Sequence, residues 1–168
     1  DTSFENELFD IENKEIDAVV ICSSTDTHAR YIVEAAEAGK HIFCEKPVDL
    51  SIDVIKNALK KTEEAGVKLM LGFNRRFDPN FLKLKQLVAE GNIGEPHILK
   101  ITSRDPAPPP AEYSAVSGGM FLDMTIHDFD MARYMTGSEI VDVFTKAAVL
   151  VDPEIGKAGD VDTAVITL

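Results

Sequence analysis

Ala18-Val19-Val20-Ile21-Cys22-Ser23-Ser24-Thr25-Asp26-Thr27-His28 is the stretch that decides the fold. Its first five residues form a short continuous apolar run, as in a strand buried on both faces of a parallel sheet. The polar residues that follow are small and rich in helix-capping side chains. Ala29, Ile32, Val33 and Ala36 then recur at i, i+3, i+4 and i+7, so a helix follows and stops at Gly39. The same alternation repeats. His41-Ile42-Phe43-Cys44 is a second strand and ends at Glu45-Lys46-Pro47. Asp49 or Ser51 caps a helix with Ile52, Ile55 and Leu59 on one face, closed by Gly66. Lys68-Leu69-Met70-Leu71-Gly72 is a third strand, and Asp78-Pro79 opens another helix with Pro in its first turn, lined by Phe81, Leu84 and Val88.

Strand and helix in alternation predict a parallel, doubly wound sheet. In such sheets ligands bind beyond the carboxyl ends of the strands. The segments 23–28, 45–47 and 73–76 are therefore expected on one rim. Lys46 precedes Pro47, which holds it extended and fixes the direction of its side chain whether the peptide is cis or trans. Ser23, Ser24 and Thr25 suit a plain helix cap, and their hydroxyls and amides also suit a ribose or phosphate. Arg75 and Arg76 read most simply as solvated surface cations. After Gly94-Glu95-Pro96 the character changes. Residues 97–103 alternate like a strand of a second sheet, and 105–112 form a Pro-rich loop. Residues 140–151 and 162–168 read as two strands joined by a Gly-containing connection, which puts a domain boundary near residue 95.

The second part carries Gly118-Gly119-Met120-Phe121-Leu122-Asp123-Met124-Thr125-Ile126-His127-Asp128-Phe129-Asp130-Met131-Ala132-Arg133-Tyr134. On a helix, Asp123 and His127 would stack on one face. Met120, Phe121, Met124, Ile126, Phe129, Met131 and Met135 spread around nearly every face, the pattern of a buried helix. Burying polar groups without partners costs roughly 2–7 kcal/mol. Two readings follow: a satisfied core pair, or a proton-handling pair in which a carboxylate orients an imidazole whose ordinary pKa is about 6.5.

The totals bound the function. The chain has 168 residues, 45% of them hydrophobic, and a net charge of −12. That charge argues against nucleic acid and anionic membranes as partners. No apolar run approaches the roughly 18 residues of a membrane span. Cys22 and Cys44 both lie in strand-like runs and are expected as small core residues in a reducing cytoplasm. No cluster has zinc-ligand spacing. Residues 1–15 suggest a helix end and a loop. A start without Met and a final strand-like stretch suggest an excerpt of a longer polypeptide.

Five motifs stand in a recognisable order: Cys-Ser-Ser-Thr-Asp-Thr-His (22–28), Glu-Lys-Pro (45–47), Gly-Phe-Asn-Arg-Arg-Phe-Asp (72–78), Gly-Glu-Pro (94–96) and Asp-x-x-x-His (123–127). Together they resemble the Gfo/Idh/MocA oxidoreductases, over almost the whole chain from about residue 16. Ser-Arg-Asp-Pro-Ala-Pro-Pro-Pro (103–110) and Phe-Leu-Asp-Met-Thr-Ile-His-Asp-Phe-Asp-Met-Ala-Arg (121–133) are similar to the members that oxidise inositol.

The resemblance implies an α/β chain: the latter part of a Rossmann-like doubly wound parallel sheet, then the start of an α+β open-sheet domain. Residues 1–94 would be a partial NAD-binding domain and 95–168 a partial substrate and oligomerisation domain. The implied reaction oxidises a secondary alcohol of a cyclitol, myo-inositol to scyllo-inosose, by hydride transfer to NAD. Lys46, Asp123 and His127 match the family's catalytic residues, with His127 accepting the alcohol proton. Cys22, Ser23, Ser24, Thr25, His28, Glu45, Lys46 and Pro47 would meet the cofactor. Lys46, Asn74, Arg75, Asp123, Met124 and His127 would meet the polyol, and Thr125 is a further candidate. A cytoplasmic homo-oligomer, a tetramer by resemblance, is implied for the full-length protein.

The family opens with a strand, a Gly-x-Gly-x-x-Gly loop and an acidic residue for the adenosine ribose. This sequence contains none of these, so the stretch by itself is expected to bind NAD weakly or not at all, and NADP stays compatible with it. Two alternatives stand beside the cyclitol reading: a sugar or sugar-acid dehydrogenase of the same family, and a non-catalytic binding protein on the same fold. A sensor would have no need of Lys46, Asp123 and His127 together.

Overall fold

The structure is a computed structural model that describes residues 11–168, which fall into two compact units divided between Gly72 and Phe73. The helix end expected within 1–15 falls up to residue 10 outside the described residues; Ile11 and Glu12 are helical.

The first unit follows the alternation in the sequence. Strand β1 (Ala18–Ile21), helix α1 (Thr25–Glu37), β2 (His41–Cys44), α2 (Ile52–Ala65) and β3 (Leu69–Leu71) succeed one another. The strands are parallel in the order β1-β2-β3, with Ile21 beside Cys44 and Cys44 beside Leu71. Two crossovers running in the same direction put α1 and α2 on the same face. There Ile21, Ile32, Ala35, Ala36, Ile42, Cys44 and Ala58 make the core, with Val19, Leu69 and Leu71 packed against it. Side chains alternate along a strand, so Val20, Phe43 and Met70, which are register partners, point the other way. Val20 is 71% exposed and Met70 46%. The expectation of a strand buried on both faces is thus corrected: among the described residues β1 is covered on one face only. Cys22, just past its end, is exposed rather than a core residue, whereas Cys44 is buried. Helix α2 stops where Gly66 takes φ 66°, a left-handed conformation that costs glycine little. Neither expected side chain caps its start; the Asp49 carboxylate instead accepts from the Ser51 N–H at 2.8 Å.

The second unit opens with a 3₁₀ turn (Asn74–Phe77) and helix α3 (Pro79–Ala89). Asp78 caps α3 as its spacing suggests, accepting from the N–H groups of Asn80 and Phe81. Helix α4 (Ala111–Ser117), a π-helical turn (Met120–Met124) and helix α5 (Ile126–Thr136) follow. Then come β4 (Phe144–Ala148), the short α6 (Pro153–Lys157) and β5 (Thr163–Thr167). Strands β4 and β5 are antiparallel. Asp162 closes the end of this ribbon by accepting from the N–H groups of Leu150, Val151 and Asp152 at 2.8–2.9 Å. Those bonds hold its carboxyl down at about 2, against an ordinary 3.8.

Three expectations change here. Residues 97–103 alternate but form no strand, and Ile98 is 90% exposed. Alternation supplies a face, whereas a strand also needs a partner edge, and none is paired with this segment among the described residues. The span read as a strand over 140–151 shrinks to Phe144–Ala148. The apolar stretch around Asp123 and His127 is not buried all round: residues 123–129 are half-buried, and in α5 only Asp130, Met131 and Met135 are buried.

Candidate active site

Parallel pairing in register brings the carboxyl ends of β1, β2 and β3 together, so Cys22 to His28, Glu45 to Pro47 and Gly72 share one rim. The ladder continues onto that rim, with Glu45 N–H donating to the Ile21 carbonyl at 2.9 Å and Gly72 N–H to the Cys44 carbonyl at 2.8 Å. The Glu45 carboxylate lies against Gly72; a Cβ at Gly72 would sit 2.8 Å from Glu45 Oε2, so a larger residue there would make that side chain shift. Cys44 donates its thiol to the Glu45 carbonyl, and burial, with Cys22 and Glu45 nearby, pushes that thiol up to about 12. It is an inert core group. The Lys46–Pro47 peptide is cis, with Lys46 half-buried and Pro47 buried.

His28 holds the two loops together. The residue is 2% exposed. Its Nδ1 lies 2.7 Å from the Pro47 carbonyl and its Nε2 3.0 Å from the Ser23 carbonyl. Its ring is therefore committed to main chain on both sides, which makes it a brace for the rim. Around it, Thr27 Oγ1 donates to the Ser24 carbonyl at 2.7 Å, which leaves Ser23 Oγ to donate to Thr27 Oγ1 at 2.6 Å. Ser24 stands at the N-cap of α1 without a side-chain capping bond, exposed at the rim. This donor set, hydroxyls at the start of a 13-residue helix, fits the ribose and phosphate oxygens of a dinucleotide.

In the second unit Asp123 and His127 do not share a continuous α-helix. Thr125 N–H reaches back to the Met120 carbonyl, the five-residue step of a π turn, so Asp123 sits in that turn and His127 in the first turn of α5. Such turns insert one extra residue and are frequent at functional sites. Asp160 holds the entry: its carboxylate accepts from Met120 N–H at 3.0 and 3.2 Å. Gly119 has φ 64°, and a Cβ there would lie 2.5 Å from the Asp160 carboxylate. Burial raises the Tyr113 phenol, and so does Asp123, both by its charge and by its hydrogen bond to the phenol.

The 3₁₀ turn is tied to α5 by two ion pairs. Arg75 Nη1 meets Asp128 Oδ1 at 2.5 Å, and Ser103 Oγ donates to the same oxygen at 2.6 Å. Arg76 bridges Asp130 through Nε and Nη2 at 2.6–3.1 Å. Asn74 and Arg75 also line a shallow cleft of about 310 Å³ with Phe77, Asp78 and Phe81. Arg75 and Arg76 are thus ion-paired cations that stay partly exposed, rather than freely solvated ones. The structure gathers Cys22 to Thr25, His28 and Glu45 to Pro47 in the first unit. In the second it links Arg75 to the residue after His127, with Met124 half-buried between Asp123 and His127 in sequence. Sequence reasoning missed Tyr113, Ser103, Asp128, Asp130 and Asp160. Their partners lie 10 to 54 positions away, and no local pattern marks them.

Among the described residues no cluster of His, Cys, Asp and Glu could hold a metal ion, and no helix is long and apolar enough to cross a membrane. Residues 2–73 match the model of an oxidoreductase family with an NAD-binding Rossmann fold, and residues 81–168 match the GFO/IDH/MocA C-terminal domain. The chain belongs to the Gfo/Idh/MocA family. It is 60% identical to a myo-inositol 2-dehydrogenase of Thermotoga maritima over 94% of its own length and 47% of that protein's. It is 54% identical to an inositol 2-dehydrogenase of Rhizobium meliloti over 92% and 47%. Among solved structures, a scyllo-inositol dehydrogenase of Lactobacillus casei with bound NAD(H) and scyllo-inositol has a TM-score of 0.77 at 37% identity, over 95% of this chain and 48% of that one. This Gfo/Idh/MocA chain spans about half the length of the curated relatives it matches.

Proposed function

We propose that the full-length protein carrying this chain is an NAD-dependent cyclitol dehydrogenase that oxidises myo-inositol to scyllo-inosose. The observation that carries this reading is the placement of Asp123 and His127 on either side of the π-turn junction, one residue from the Arg75–Asp128 pair. The similarity to inositol dehydrogenases at 54–60% identity supports the substrate class. NAD, when bound, supplies the acceptor for the carbinol hydride. The hydroxyls of Ser23, Ser24 and Thr25 and the start of α1 would hold it, with Cys22 beside them, on a rim that His28 braces and that Glu45, Lys46 and Pro47 complete.

The chain's own residues then have separate tasks. His127 accepts the hydroxyl proton of the polyol as general base. Asp123 orients the substrate hydroxyl and stabilises the charged imidazole, and Tyr113 steadies that carboxylate. Lys46 polarises the oxygen by donating to it. Asn74, Arg75 and Met124 contact the remainder of the ring. A neutral polyol calls for such donors and acceptors in place of a charge clamp. The proposal extends to a homo-oligomer in the cytoplasm, a compartment that suits the free thiols of Cys22 and Cys44.

The test is NADH formation by the full-length protein, followed by absorbance with NAD and myo-inositol. Steady NADH formation supports the reading. Formation with aldoses or sugar acids and none with cyclitols would replace the substrate class, and none with any polyol would reject the enzyme.

A further inference from the structure

Nothing in the proposed reaction requires Arg76 or Asp130 to touch substrate, yet three hydrogen bonds join their side chains. The Asp130 side chain is only 6% exposed. It lies on α5, just beyond His127, and both of its oxygens accept from the Arg76 fork. A planar guanidinium engaged through two nitrogens fixes orientation as well as distance. The fork also lies over the Tyr134 ring at 5.1 Å and the Phe73 ring at 6.0 Å. Lys85 approaches the same Tyr134 ring and donates to the Met135 carbonyl near the end of α5. Arg75, the residue before Arg76, makes a parallel contact to Asp128, two residues before Asp130, and Asp128 also takes the Ser103 hydroxyl.

We propose that the Arg76–Asp130 pair is a positioning device for the polyol-binding part of the site. It locks the Asn74–Phe77 turn against α5, so that Arg75 and His127 keep a fixed spacing. Arg75 by itself fixes only one point of contact with α5, at Asp128, about which the turn could still pivot. The Arg76–Asp130 pair adds a second point on the same helix, two residues further along. The inference rests on the reading of His127 and Arg75 as polyol-facing residues.

The experiment uses the full-length enzyme and three variants: Arg76→Lys, Asp130→Asn and His127→Ala. Lysine keeps the charge at a partly exposed position but cannot make the two-nitrogen bridge. The expected result for Arg76→Lys is a KM for myo-inositol raised about tenfold, or a kcat lowered by as much, with the KM for NAD within about twofold of the parent. Asp130→Asn should shift the same constants in the same direction, and combining the two changes should cost little more than either one. A fall in thermal midpoint with the polyol constants unchanged would make the pair a plain structural brace and overturn the inference. So would an equal loss for NAD and polyol. His127→Ala separates the two levels. If it keeps turnover, the underlying reading fails. If it abolishes turnover while Arg76→Lys changes nothing, only the role of the pair fails.

Discussion

The strand-end rim of the first unit and the 120–136 segment of the second are held in place by different physics. At the rim, main chain does the work: a parallel ladder runs on into Glu45 and Gly72, and a histidine ring spans two carbonyls. In the second unit, side-chain charges do it. The Asp160 carboxylate caps the π turn and two arginines grip α5. The rim is thus a product of sheet topology and tolerates variation in side chains that only line it. The π-turn segment depends on particular carboxylates at particular distances. That difference suits the proposed roles, since a cofactor common to many enzymes needs a standard cradle and one particular polyol needs groups fixed at particular positions.

The largest expected effect lies in the charged region. His127→Ala in the full-length enzyme should lower kcat by about a hundredfold or more, the usual scale of a general base. A loss below about tenfold would remove the contrast, because the second unit would then hold no proton acceptor. At the rim, His28→Ala strips the donor from the Ser23 or Pro47 carbonyl. It should cost about 1–3 kcal/mol in urea unfolding and raise the KM for NAD more than that for the polyol. The reverse order would move the brace out of the cofactor region.

Gly119→Ala comes next. Positive φ and a Cβ pressed on Asp160 should cost about 1–3 kcal/mol, read by thermal unfolding, with the polyol constants more affected than those for NAD.

The smallest effect concerns Asp162, which is half-buried. Its folded pKa lies below its ordinary value, so the ionised form stabilises the fold. That contribution is present above about 4 and is lost as pH falls toward about 2. Asp162→Asn should be less stable than the parent at neutral pH, and the gap in unfolding midpoint should close on acidification through that window.

The same contrast explains what the sequence could convey. The three strands, the glycine stops at Gly39 and Gly66 and the Asp78 cap are local signals, and each is found where the pattern puts it. The rim follows from them because parallel order alone gathers strand ends. The position of Cys22 and the open face of β1 did not follow, since an apolar run does not say how many faces a neighbour will cover. The π turn was hidden for a related reason: Asp-x-x-x-His reads as one α-helical face, and nothing nearby signals an inserted residue. The pairs that hold α5 join residues 53 and 54 positions apart, beyond the reach of any periodicity. Arg75 and Arg76 therefore looked like surface cations until their partners were seen.

The most direct test of this division of labour is a calorimetric titration of NAD into the full-length His127→Ala protein, made alongside its turnover. The expected result is NAD affinity within about twofold of the parent with turnover lost by about a hundredfold or more. NAD affinity lost together with turnover would contradict it, because the 120–136 segment would then be part of the cofactor site and the two regions would share one task.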